Sequence, residues 1–179
     1  MHLLLCTCSE GQAYLINMDM QDSINSLDTL VLGIGNPQFG DDGVGIRVIE
    51  ILADRELPSE VKVEEAGLPG WGLPIWLEGK SNVILVDAVN MGQPPGSWRR
   101  FHPSDLHMLL ETETLSLHQP DLACGLALTQ ALGLLPENLL LYGIEPADTS
   151  PGASLSAEVR ASLPEVVESI MDDIKRIRE

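Results

Sequence analysis

The sequence predicts an α/β fold: a three-layer sandwich in which a mostly parallel sheet is covered by helices on both faces. Short apolar runs that read as buried strands alternate with longer segments of helical period, and strands joined through helices imply right-handed crossovers and parallel pairing. Apolar residues make up 44% and charged residues 21%, the balance of a chain that folds by itself rather than of a disordered one. Its 179 residues suffice for one domain with a substantial core, not for two comfortable ones. No internal repeat or low-complexity tract competes with this picture.

Residues 1–28 hold no sustained period of either kind. Their tail is polar and prone to capping (Asp19, Gln21, Asp22, Ser23, Asn25, Ser26, Asp28). They read as an N-terminal extension, poorly ordered or the product of a misassigned start, with Met18 or Met20 a plausible first residue. Residues 29–179 are expected to form a single α/β domain. TLVLGI, from Thr29, is a short apolar run stopped by Gly35, Asn36 and Pro37, as suits a buried parallel strand entering a tight turn. Val44, Ile46, Val48, Ile49, Ile51 and Leu52 then fall largely on one helical face. Asp41 and Asp42 occupy its first turn, where carboxylates favour the helix dipole.

VKVEEA alternates as a strand and ends at Gly67, and GLPGWGLPIWLEG reads as a loop leading into a short helix. NVILVDAV is the clearest buried strand. MGQPPGS marks a turn, and SWRRFH alternates like an exposed edge strand. A loop containing His118 precedes an Ala/Leu-rich helix from Leu122 to Leu134, and NLLLYGIEP is one more buried strand. The last helix has Ser156 as its cap, acidic residues early and Lys175, Arg176 and Arg178 late, as its dipole prefers. Pro164 is expected to kink it or split it in two.

Charge narrows the partners. Ten Lys+Arg against 27 Asp+Glu give a formal charge of −17 and a pI near 4.3. That surface lacks the basic stripe on which phosphate backbones and anionic lipids depend, so neither nucleic acid nor membrane is an expected partner. Cys6 and Cys8 are too close for an ordinary structural bridge and Cys124 stands alone, which suits a reducing compartment. The opening MHLLLC has no Lys or Arg before it and is shorter than a signal-peptide core. Nowhere is there an apolar run long enough to span a membrane. A cytoplasmic, monomeric protein is expected.

In a parallel sheet, ligands sit beyond the carboxyl ends of the strands, so the loops after Ile34, Ala66, Asp87 and Ile144 should share one rim. GIGNPQFGDDGVG lies between strand and helix, but a dinucleotide fingerprint wants a third Gly where this chain has Gln38, and Pro37 removes an amide. The glycines alone can be explained by a tight turn; the paired carboxylates cannot, although helix capping by Asp41 explains one of the two. Asp87 closes an apolar strand and is either a structural cap or a rim ligand. His118, in SLHQPD, is either a surface or capping residue or a third ligand. Asp42, Asp87 and His118 on separate loops of one rim would form a hard-to-borderline N/O site suited to Ni, Zn or Fe. His102 and His107 are weaker candidates, and Glu145 before Pro146 lines the rim or caps it. There is no GxSxG, HExxH or CxxC, which lowers serine hydrolase, zincin and thioredoxin chemistry.

GIGNPQFGDDGVGIRVIE, ILVDAVN with the following PPG, SLHQ and YGIEP, in that order and spacing, resemble the hydrogenase maturation endopeptidase family across about residues 29 to 175. The resemblance implies a twisted, mainly parallel five-stranded sheet. It also implies a peptidase that removes a C-terminal extension from the large-subunit precursor of a [NiFe] hydrogenase once nickel is inserted. The family's metal-contacting residues map onto Asp42, Asp87 and His118, with Asp42 and Asp87 the catalytic candidates and the nickel supplied by the substrate. A dication held there would keep both carboxylates ionised. The family has been classed both as aspartic and as metallopeptidase, and no general base is assigned. This chain departs from the family in carrying Glu65, Ala66 and Gly67 where many members have AspGlyGly. A Gly- and Trp-rich segment follows, which would reshape a substrate groove around Trp71 and Trp76. The competing expectations are a nickel-checking chaperone of the same fold that does not cut, and a nucleotide-binding α/β domain.

Overall fold

The computed structural model describes residues 29–102, 105 and 120–178; the expected N-terminal extension, with Cys6 and Cys8, and the segment carrying His107 and His118 lie outside them. β1 (Thr29–Ile34), β2 (Val61–Gly67), β3 (Asn82–Ala88), β4 (Trp98–Phe101) and β5 (Asn138–Ile144) form one sheet in the order β2-β1-β3-β5-β4. β2, β1, β3 and β5 are parallel, and β4 runs antiparallel along β5 as the edge.

The central strands are apolar on both sides because both sides are covered. Val31, Ile84, Val86, Tyr142 and Ile144 pack with Val44, Val48 and Leu52 of α1 (Val44–Ala53) and Val159, Val166 and Ile170 of α4 (Ala157–Ile177). Their neighbours in sequence, Leu30, Leu32, Ile34, Val83, Leu85, Leu139 and Leu141, point the other way. There they meet Leu73 and Leu77 of α2 (Leu73–Leu77) and Leu122 and Leu126 of α3 (Pro120–Ala131). Two apolar layers thus sandwich the sheet.

Two local expectations change. Pro164 does not split the last helix, which is continuous from Ala157 to Ile177. The proline lies on the exposed side, where water can satisfy the carbonyl that loses its donor. Asp41 and Asp42 belong not to the first turn of α1 but to a separate 3-10 turn, Gly40–Gly43, which has no side-chain cap.

The chain moves from β1 outward to β2 and then returns to β3 on the opposite side of β1. That reversal falls between β1 and β3, beyond whose carboxyl ends open α/β sheets bind ligands in a crevice.

Candidate active site

Close packing fixes the chain around this crevice. At Gly35, with φ +120°, an added Cβ would lie 1.8 Å from the main-chain oxygen of Asp42, and its N–H donates to the Gly67 carbonyl at 2.8 Å. At Gly45 a Cβ would fall 2.3 Å from both the Ile34 and the Val86 carbonyl oxygens. The start of α1 therefore sits directly on the ends of β1 and β3, and no larger residue is compatible with that approach.

Asp42 is 6% exposed, and its Oδ2 accepts the Asn36 N–H at 2.7 Å. Asp87, at the end of β3, is 3% exposed, and its Oδ1 accepts the Ala88 N–H at 2.8 Å. Burial, reinforced by the Asp42 charge and opposed by the Ala88 N–H, pushes the Asp87 carboxyl up to about 8. Asp42 is also raised by burial, against the Asn36 N–H. Asp87, 45 positions after Asp42 in the sequence (87 − 42), thus feels the Asp42 charge, and near neutral pH it holds a proton. A buried oxygen pair of this kind suits a dication, whose entry would displace that proton and return both groups to the ionised state.

The aspartate next to Asp42 has a different task. Asp41 is fully buried. Its Oδ2 accepts the N–H groups of Ala147 at 2.8 Å and Asp148 at 3.0 Å, and its Oδ1 that of Ser156 at 2.7 Å. The expected cap on α1 is replaced by a tie to the loop between β5 and α4. Glu145 also resolves as structural. Its Oε2 accepts the N–H groups of Met91 at 2.6 Å and Gln93 at 3.2 Å, and its own main chain bonds Ser97 and Gly96. It latches the loop that follows Asp87. Neither tie was legible in the sequence, because the partners are remote; the sole signal for Glu145 was a carboxylate at the end of an apolar run, and for Asp41 its place just ahead of a helix.

Glu65 lies exposed on β2, beside an irregularity in the pairing of β1 with β2 between Gly33 and Ile34. His102 is exposed beyond β4, in the lining of a cavity of about 550 Å³ that includes Asn138 at the start of β5, the end of the sheet opposite the rim. Cys124 is a free, half-buried thiol on α3. Among the described residues no cluster of three or more His, Cys, Asp or Glu forms a metal cage; His118, the expected third ligand, and His107 lie outside them. The Asn36 amide, which a nucleotide phosphate would need, is committed to Asp42.

Known proteins share this architecture. The family described as hydrogenase maturation protease matches residues 46–173. The hydrogenase expression/formation protein HupM of Azotobacter chroococcum is 34% identical over 78% of this chain and 68% of its own length. The hydrogenase 2 maturation protease of Escherichia coli is 30% identical over 79% of this chain and 87% of its own. The structure of the hydrogenase maturating endopeptidase HybD from E. coli superposes with a TM-score of 0.74 at 28% identity, covering 83% of this chain and 93% of that one. By sequence and by fold, this chain belongs to the hydrogenase maturation proteases and is a peptidase.

Proposed function

We propose that this peptidase removes the C-terminal extension of a [NiFe] hydrogenase large-subunit precursor after nickel insertion, and that it recognises the precursor through its nickel, held by Asp42, Asp87 and His118. The supporting observation is the pair of buried carboxylates at the reversal point of the sheet, Asp87 raised by its burial and by the Asp42 charge. A cation bound between them would offset that burial and hold both groups ionised. The placement of α3 adds support for His118. A Cβ on Gly125 would lie 2.5 Å from the Gly70 carbonyl oxygen, so the first half of α3 stands level with the rim beyond β2. By alternation with Val83 and Leu85, Asp87 points to the face that α3 covers. His118 precedes α3 by two positions (120 − 118).

In this account the nickel is part of the substrate. Asp42 and Asp87 supply oxygen ligands, the Asn36 and Ala88 amides orient them, and Asp41 and Glu145 hold the loops on which they stand. A precursor metal with open positions would bring the cleavage region to the rim and polarise a carbonyl or a water there. No helix among the described residues is long and apolar enough to cross a membrane; the proposal takes the precursor to be cytoplasmic and the enzyme to act as a monomer.

The test is to incubate the protein with nickel-loaded and nickel-free precursor and to weigh the precursor's C-terminus by mass spectrometry. Only the loaded form should be shortened. Equal cleavage of both would remove nickel as the signal, and binding without any shortening would make the protein a chaperone instead. Replacing Asp42, Asp87 or His118 with Ala should abolish processing while the fold survives.

A further inference from the structure

The exposed apolar residues of this chain are not scattered. Among the described residues six large hydrophobic side chains are exposed, and Phe39, Leu68, Trp71 and Ile75 all follow the carboxyl ends of β1 and β2. Trp71 is 68% and Ile75 81% exposed, with Leu68 at 48% just before them. Trp71 and Ile75 are four positions apart across the 3-10 turn Gly70–Gly72 and α2, so they share one outward face. The inward face of the same segment is Leu73 and Leu77, both fully buried, with Gly70 pressed against Gly125 of α3. The segment is therefore anchored without its outer residues, and folding does not explain why an indole and an isoleucine are left in water.

We propose that Leu68, Trp71 and Ile75 form the docking surface for the folded body of the precursor protein, separate from the carboxylate site that receives its metal. The proposal rests on the functional reading above, which requires a protein substrate to settle on this rim. The patch is continuous with that site, since the Gly67 carbonyl that precedes it is bonded to Gly35 at the mouth of the crevice. Its charge specifies the partner further. Residues 64–79 contain Glu64, Glu65 and Glu78 and no Lys or Arg. The complementary face is an apolar surface bordered by basic side chains, with an aromatic anchor of the kind that dominates protein interfaces.

The experiment compares the full-length protein with Trp71→Ser and Ile75→Ser variants on nickel-loaded precursor, reading KM and kcat separately, with thermal melting and sedimentation of each protein alone. The expected result is a KM raised about tenfold or more in each variant, with kcat and melting temperature unchanged. An unchanged KM overturns the proposal. So does a wild-type dimer that either substitution disperses, because the patch would then belong to a second copy of this chain. If wild-type protein binds the precursor through Trp71 but never shortens it, the processing function fails and the docking surface stands.

Discussion

Two buried carboxylates at different places in this fold are treated in opposite ways. Asp173, on α4, is 4% exposed, about as hidden as Asp87. Its Oδ1 receives the Arg100 and Arg176 guanidinium groups and its Oδ2 the Tyr142 hydroxyl at 2.6 Å. Tyr142 in turn stacks on Trp98 with ring centroids 5.7 Å apart. Burial and the bond to Asp173 raise the tyrosine well above its usual range, so the hydroxyl stays a donor. The cluster clasps α4 to β5 and to the edge strand. Asp87 receives the amide of its own neighbour and faces the charge of Asp42. A carboxylate ringed by donors holds the fold together; one buried beside another carboxylate is held in place by the fold and is suited to receive a cation.

The largest test of that contrast is functional. Asp87→Asn should lower precursor processing by on the order of a hundred- to a thousand-fold, measured as kcat/KM, while Asp173→Asn should leave it near wild type. Stability should respond the other way. Asp173→Asn is expected to cost about 2–3 kcal/mol in urea unfolding, less than a fully buried pair because the Arg100 side chain is 34% exposed.

Asp87→Asn should instead stabilise the metal-free protein at alkaline pH. An unfolded aspartate titrates near 3.8 and folded Asp87 at about 8, so between these values the native state holds a proton that the unfolded state has released. The stability this contributes is complete below about pH 4, falls by at most about 1.4 kcal/mol per pH unit, and is gone above about pH 8. The asparagine variant cannot ionise. It should therefore be the more stable protein at pH 8 and level with wild type at pH 4, and unfolding curves at both values will show whether the gain depends on pH.

Asp41→Ala sharpens the contrast between adjacent residues. It strands three backbone N–H groups and should cost about 2–3 kcal/mol, read in the same unfolding assay. The smallest effect belongs to the surface. Arg55 and Glu168 are paired at 3.3 Å with side chains 47% and 62% exposed, and Arg55→Ala should change stability by under about 0.5 kcal/mol.

Much of this molecule was legible before any coordinates. Thr29–Ile34, Asn82–Ala88 and Asn138–Ile144 are apolar enough to be buried on both faces, and Trp98–Phe101 alternates as an edge should. Parallel order put Asp87 and Glu145 on one rim, at the ends of β3 and β5, and left the role of each open. What stayed hidden depends on contacts between distant segments. Asp41 meets Ser156, Glu145 meets Met91 and Tyr142 meets Asp173, and no local period encodes such pairs. That Pro164 does not split its helix was hidden for a related reason: its cost depends on which side of the helix faces water.

At the reversal point the charge of Asp42 helps hold the proton of Asp87. Carbon-13 NMR titration of the Asp87 carboxyl in metal-free protein measures this directly. The expected midpoint lies near 8 and falls when Asp42 is replaced by Asn. A midpoint near 4, indifferent to Asp42, would contradict it.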